Sequence, residues 1–350
     1  MMAASLGSKP PEPKALLRGH RAAISCVTFL FGGTEFLASG DVDGDLLLWS
    51  LSTKRVVKPE LEAHPGGVLT LVACDRDKRW ISQGRTDGNI KVWNDTELID
   101  VVRTESESFC RASVIWGDTS LDDVFIACTT REDSVIAVWR ANDSAGRRLL
   151  KPPEDVKWGM AMDVLLRAIS DRRYALVVYE DGYLRVFDVD NAVLLHNMVV
   201  QVQPTNEPVT SLILGQVSAC NVAQGLAGGA SNELGLFEVN FAEESATFKS
   251  FVSAVEKSAL ETKSSQEDED SARLGKGVGQ LALRPDGRIC AIASWDKRLR
   301  IIHFRTSKHL AVLKHHRGSV QAVCFAADSS LLASGSKDQN IAIWSIYNDK

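Results

Sequence analysis

The feature that most restricts the fold of this chain is one phrase written near both ends of its 350 residues: FLASGDVDGDLLLW at 36–49 and LLASGSKDQNIAIW at 331–344. It returns in between as WISQGRTDGNIKVW (80–93), FIACTTREDSVIAVW (125–139) and ALVVYEDGYLRVF (175–187). Each copy is an apolar run, a tight turn carrying Asp, and an alternating run closed by an aromatic. Alternation with a period of two puts one face on a core and the other toward solvent, so each copy reads as a pair of strands around a turn. Asp precedes the closing ring by six residues in all five copies: Asp43 to Trp49, Asp87 to Trp93, Asp133 to Trp139, Asp181 to Phe187 and Asp338 to Trp344. Two weaker copies fill the remaining gap. GLAGGASNELGLFEV (225–239) places Phe237 at the closing position, and ICAIASWDKRLRII (289–302) keeps Asp296 but has Ile302 where the ring would stand. Closing positions 49, 93, 139, 187, 237, 302 and 344 give spacings of 44, 46, 48, 50, 65 and 42, hence seven units.

A second element precedes three of these phrases. A His is followed four residues later by a β-branched residue opening an apolar run in GHRAAISCVTF (19–29), AHPGGVLTLVA (63–73) and HHRGSVQAVCF (315–325). A period of 40 to 50 residues with His near its start and Trp near its end resembles the WD40 repeat, in which each unit is one four-stranded blade of a ring. The resemblance implies an all-β, seven-bladed WD40 β-propeller forming one domain over residues 14–350, although length alone, at about 150 residues per domain, would suggest two. A ring that closes leaves few free sheet edges to aggregate. In WD40 propellers the N-terminal segment supplies the outer strand of the last blade. KALLRG (14–19) is therefore expected beside NIAIWSIY (340–347). Residues 1–13, punctuated by three prolines, read as a flexible tail. The 65-residue spacing holds 241–277, rich in Ser, Glu, Asp and Lys and containing EDED at 267–270, which reads as an acidic, solvated loop between blades 5 and 6.

The same resemblance assigns a hydrogen-bonded set to each well-formed blade: His20, Ser39, Asp43 and Trp49; His64, Ser82, Asp87 and Trp93; His316, Ser334, Asp338 and Trp344. An imidazole between a carboxylate and a hydroxyl, with an indole N–H completing the chain, satisfies buried polar groups that would otherwise cost about 1–3 kcal/mol each. A nucleophilic triad would use the same residue types. Recurrence of the trio on three blades beside a Trp marks scaffold rather than an active site. No second His or Cys stands at metal-ligand spacing, and SQGRTDGN and LAGGASN are turns between strands rather than phosphate loops opening helices. No catalytic residue, metal or cofactor is expected. The seven cysteines, odd in number and never in a CxxC pair, read as reduced small hydrophobes.

Forty Lys and Arg against 45 Asp and Glu give a net charge of −5, which does not provide the broad positive field that nucleic acid or anionic lipid requires. No stretch approaches about 18 uninterrupted apolar residues, and MMAASLGSKPPEPK has no apolar signal region. The expected setting is the cytoplasm and nucleus, without direct nucleic-acid or membrane contact.

In the WD40 arrangement the turns carrying Asp open on one face around the central channel. Residues just before that Asp then form a ring of candidate partner contacts: Arg85, Arg131, Tyr179, Glu180, Trp295 and Lys337. Arg and aromatic side chains are the usual anchors of a protein interface. Phe109 and Arg111 in ESFCRASVIWGD (107–118), and Trp158 and Met160 in KWGMAMDVLLR (157–167), lie outside any blade consensus and join the candidates. These strings, with SQGRTDGNIKVW, YEDGYLRVFDV, NEPVTSLIL, RPDGRICAIASWDKRLRI and GSKDQNIAIWSIY, are similar to the G-protein-β-like WD-repeat family that includes the ASTRA-associated WD proteins of fungi, from about Pro11 to Tyr347.

That resemblance implies a non-enzymatic adaptor, monomeric alone. Its partners would be subunits of the TTT co-chaperone assembly, with Hsp90-linked factors and phosphatidylinositol 3-kinase-related kinases as clients, and a link to the ASTRA chromatin complex. A rigid disc loses little entropy on binding, which suits such a role. A true G-protein β subunit would need a long coiled-coil helix, and the proline-rich start is too broken for heptads. A cullin-ligase substrate receptor, the alternative adaptor, often ends a repeat with Trp-Asp-x-Arg, whereas the endings here are WSLS, WNDT, WRAN and WSIY. A propeller hydrolase would need carboxylates converging on the channel mouth, but the aspartates recur at fold spacing.

Overall fold

The computed structural model describes residues 11–117, 124–203, 207–255 and 277–346. Strand β1 (Ala15–Arg18) belongs to the last sheet. Blade 1 is β2 (Ile24–Phe29), β3 (Phe36–Asp41), β4 (Leu46–Ser50) and β5 (Arg55–Glu60). Blade 2 is β6 (Val68–Ala73), β7 (Arg79–Gly84), β8 (Asn89–Asn94) and β9 (Glu97–Arg103). Blade 3 is β10 (Ser113–Ile115), β11 (Phe125–Thr129), β12 (Ile136–Arg140) and β13 (Asp143–Leu150), and blade 4 is β14 (Ala161–Ile169), β15 (Arg172–Tyr179), β16 (Tyr183–Asp188) and β17 (Val193–Gln201). Blade 5 is β18 (Val209–Leu214), β19 (Val222–Gly229), β20 (Glu233–Asn240) and β21 (Ser245–Ser253). Blade 6 is β22 (Val278–Leu283), β23 (Ile289–Ser294), β24 (Arg298–His303) and β25 (His309–Lys314). Blade 7 is β26 (Val320–Phe325), β27 (Leu332–Ser336), β28 (Asn340–Trp344) and, antiparallel to β28, the N-terminal β1. The molecule is an all-β, seven-bladed propeller; within each blade the strands run a to d from the centre outward.

Closure is specified by side chains as well as by pairing. β1 and β28 register Ala15 on Ile343, Leu16 on Ala342, Leu17 on Ile341 and Arg18 on Asn340. Leu17, with no exposed surface, enters the cluster that joins blade 7 to blade 1 beside Ile24, Trp49, Ala322 and Ile341. Seven such clusters occur among the described residues, one in each gap between neighbouring blades. The seven closing residues of the repeat explain them: Trp49, Trp93, Trp139, Phe187, Phe237, Ile302 and Trp344 each pack into the gap with the preceding blade. Where blade 6 lacks its ring, Phe304 takes the space, lying so close to Gly215 that a Cβ there would meet its ring at 2.7 Å.

A second seam runs through the inner strands. The Ser25 hydroxyl donates to Val68 O at 2.6 Å, while the Ser113 hydroxyl, an Asp163 oxygen, the Ser211 hydroxyl and the Gln280 amide oxygen accept from the N–H groups of Leu166, Leu212, Leu281 and Val323. Polar side chains thereby stitch five of the seven a strands to the next.

The structure moves one boundary. Residues 245–253, read from composition as part of an acidic loop over 241–277, form strand β21, the outer strand of blade 5. An outer strand is exposed along most of its length, so its Ser, Thr and Lys content is no bar to pairing. Residues 256–276, with the EDED run, lie outside the described residues, as do 1–10 of the tail.

Candidate partner-binding face

In a four-stranded antiparallel blade the b–c turn and the loop entering the next blade emerge at the same end. That end is tied down by one repeated bond from a turn residue to the incoming loop: Val42 N–H to Ala23 O, Arg85 to Gly67, Glu180 to Met160, Ala230 to Pro208, Trp295 to Gly277 and Lys337 to Ser319. Below it sit the polar sets. In blade 2, His64 contacts Asp87 at 2.8 Å through Nδ1 and Ser82 at 2.8 Å through Nε2, and Trp93 Nε1 donates to the Ser82 hydroxyl at 2.9 Å. In blade 7, His316 contacts Asp338 at 3.1 Å and Ser334 at 2.8 Å, and Trp344 Nε1 donates to Ser334 at 2.9 Å.

Blade 1 differs from the expected set. His20 and Trp49 meet Ser39 at 2.6 and 2.7 Å, but the carboxylate on His20 Nδ1 is Asp41, at 2.7 Å, and not Asp43. The turn DVDGD explains the change. Asp41, ending strand b with no exposed surface, accepts the N–H groups of Asp43, Gly44 and Asp45 on its other oxygen, which leaves Asp43 facing solvent. In blade 2 the matching place is Gly84, where a Cβ would fall 1.9 Å from Asp87, so there the later aspartate reaches the ring instead. Burial works against the charge of Asp41, Asp87 and Asp338, yet the hydrogen bonds and charge of the facing histidines outweigh it and hold all three carboxyls below their usual range.

The degenerate blades use other solutions. In blades 4 and 6 the turn aspartate takes a forked Arg from its own strand c: Arg185 on Asp181 at 2.9 and 2.6 Å, and Arg300 on Asp296 at 2.9 and 2.5 Å. Blade 3 has a hydroxyl ladder, with Ser106 and Ser108 on Thr129 at 2.5 and 2.7 Å. The alternation of 104–110 sends Thr104, Ser106, Ser108 and Cys110 inward and Glu105, Glu107 and Phe109 outward. The signals were in the sequence as D-x-x-x-R (DGYLR, DKRLR) and as TESES.

The candidate contacts divide on this geometry. Phe109 is 59% exposed, with the Arg85 guanidinium 5.5 Å from its ring centre, and the bonded ladder beneath holds its loop in place. Arg131 is exposed on the neighbouring turn, in a pocket of about 600 Å³ that also has Asp87, Glu105, Glu107 and Asp133 on its wall. Glu180 and Lys337 are exposed and Met160 half-buried at the same end of the blades. Trp295 is half-buried, its ring packed over Gly277 so closely that a Cβ there would come within 2.4 Å.

Three candidates are not on this surface. Tyr179 has no exposed surface, because it stands one residue before Glu180 in an alternating strand and so points inward. Trp158 is buried edge-on against Tyr179 at 5.0 Å and covers the Arg185 guanidinium at 4.2 Å, so both rings serve as the lid of the Asp181–Arg185 fork. Arg111 is half-buried in the channel and donates to Gly279 O at 2.6 Å, bracing blade 3 against blade 6. Gly279 is the bulged residue of β22, which leaves its carbonyl outside the regular ladder.

Among the described residues no group of three or more His, Cys, Asp or Glu is placed to hold a metal ion. Burial pushes the Cys26 and Cys128 thiols up to about 12, which keeps them protonated and poor nucleophiles.

The WD domain, G-beta repeat pattern matches residues 11–50, 55–94 and 307–345, the two blades at the start and the one at the end. Across its length the chain is 31% identical to mouse guanine nucleotide-binding protein subunit beta-like protein 1 over 355 aligned positions, covering 98% of this chain and 99% of the relative. This chain belongs to the guanine nucleotide-binding protein subunit beta-like protein 1 family. The propeller of this chain runs through the degenerate blades as well as the recognisable ones. ASTRA-associated protein 1 of Schizosaccharomyces japonicus is 24% identical, covering 96% of this chain and 99% of that protein, and its Schizosaccharomyces pombe counterpart is 25% identical with the same coverage. The Cps50 (Swd1) β-propeller domain of Myceliophteria thermophila superposes with a TM-score of 0.72 over 96% of this chain and 100% of that one at 17% identity, a likeness of fold alone. As a WD40 propeller the protein is a scaffold for protein interactions.

Proposed function

We propose that this protein is a non-enzymatic adaptor, in nucleus and cytoplasm, that joins the TTT co-chaperone assembly and the Hsp90 system in maturing phosphatidylinositol 3-kinase-related kinases, with a link to the ASTRA chromatin complex. The full-length similarity to proteins named ASTRA-associated protein 1 supports the reading. The observation that carries the adaptor role is Phe109: a 59% exposed ring, flanked by Arg85 and set on a hydrogen-bonded loop, costs little to order and much to leave in water. The test is affinity capture with mass spectrometry of the intact chain beside Phe109→Ala combined with Arg85→Glu. Co-chaperone subunits should be recovered by the first and lost from the second, with both melting within a few degrees of each other. Equal recovery would remove this face from the account, and recovery of cullin-ligase subunits instead would replace the co-chaperone reading.

A further inference from the structure

A second feature of the same end of the blades is independent of which assembly the adaptor serves. Between blades 6 and 7 a pocket of about 560 Å³ is lined by Arg18, Lys314, His315, Arg317, Asp338 and Asn340. The residues arrive from separate parts of the chain. Arg18 ends the N-terminal strand β1, directly opposite Asn340 on β28, and Lys314 ends β25 just before the loop that carries His315 and Arg317. The pocket therefore exists only when the ring has closed.

Its charge is unbalanced. Arg18, Lys314 and Arg317 are exposed, and their side chains make no hydrogen bond or ion pair with any described residue. The single lining carboxylate, Asp338, is already engaged by His316 and by the N–H groups of Arg317 and Asn340. His315 is set edge-on to Trp344 at 6.2 Å and to His316 at 5.9 Å. Burial first, then the charge of His316 and of Arg18 and Arg317, lowers its pKa against the opposing pull of Asp338, so at neutral pH it offers an uncharged N–H. Three cations against one carboxylate leave two positive charges in a pocket on a chain whose net charge is −5. The excess is local, so indiscriminate attraction of polyanions is not its origin.

We propose that this pocket binds a phosphoserine or phosphothreonine side chain presented by a protein partner. Two guanidinium forks, an ammonium and an imidazole supply more donors than the two oxygens of a carboxylate can accept, whereas a phosphate monoester has three terminal oxygens and about two negative charges near neutral pH. The lining is charged and polar throughout, which suits a fully hydrated anion better than an apolar side chain.

The test uses the full chain and a fluorescent peptide carrying one phosphoserine, with its unphosphorylated twin as control and inorganic phosphate as competitor. The phosphopeptide should bind at least about ten-fold more tightly than its twin, be displaced by phosphate, and lose about ten-fold or more in the Arg18→Gln, Arg317→Gln double variant. Arg55→Gln, on the exposed outer strand of blade 1, should leave that affinity unchanged. Both substitutions are at exposed side chains, and an unchanged melting temperature separates lost binding from lost fold. Equal binding of the two peptides, or undiminished binding by the double variant, overturns the proposal. Co-chaperone capture is not read in this experiment, so neither proposal stands or falls with the other.

Discussion

Asp41 and Asp43 lie two residues apart in the first blade, and the structure gives them opposite weights. Asp41→Ala removes the acceptor of His20 Nδ1 and of three turn N–H groups from a site with no exposed surface. A buried hydrogen bond to a charged group contributes about 1.5–3 kcal/mol and the turn cap roughly another 1, so the expected loss is about 2.5–4 kcal/mol. With an unfolding entropy near 2.1 cal/mol/K per residue, a chain of 350 residues has about 0.7 kcal/mol/K, and the melting midpoint should fall by about 3–5 °C. Asp43 faces solvent and offers only its backbone N–H to Asp41, so Asp43→Ala should move the midpoint by less than about 1 °C. Asp41→Asn, which keeps an oxygen for the ring nitrogen but not the charge, should fall between them. Differential scanning calorimetry at pH 7.5 reads all three. A drop for Asp43→Ala as large as that for Asp41→Ala would refute the assignment.

Two further outcomes follow from buried groups. Burial raises the Asp163 carboxyl to about 6 despite the opposing charge of Arg111, so its stabilising contribution is complete below the pKa of an unfolded aspartate, about 3.9, and is lost as pH rises through 6. Asp163→Asn, which retains an acceptor for the Leu212 N–H, should match the parent protein in urea titrations near pH 4.5 within about 1 kcal/mol and exceed it by about 2–3 kcal/mol at pH 8; an offset independent of pH would contradict this. Gly84→Ala should cost about 1–3 kcal/mol by driving a methyl into Asp87 and His64, whereas Gly33→Ala, whose nearest atom would be 3.9 Å away, should be neutral by thermal melting.

The ring and its closure were legible because repetition is a property of spacing. Strand alternation, the Asp turns and the seven closing positions survive even where the residues themselves drift, and the WD domain pattern that matches only three blades understates how regular the chain is. What spacing could not decide was which of two neighbouring polar residues reaches a buried partner. Counting six residues back from Trp49 selects Asp43, while the geometry of a tight turn selects Asp41. The same limit applies to Tyr179 and Glu180, where one step of strand alternation separates a core ring from an exposed carboxylate. Composition misled at β21, because an outer strand owes its existence to pairing with β20 and not to apolar content. Phe109 was found as an oddity in the sequence, but the ladder of Ser106, Ser108 and Thr129 that makes it a rigid anchor needed coordinates.

The closed ring depends on the head of the chain completing the last sheet. Hydrogen exchange read by mass spectrometry on the full chain and on one beginning at residue 19 tests this directly. In the full chain, peptides covering 340–344 should be protected to the same degree as those covering 332–336, and in the shortened chain that protection should collapse at 340–344 first. Exchange at 340–344 that is fast in the full chain, or unchanged by removal of residues 1–18, would contradict the closed ring.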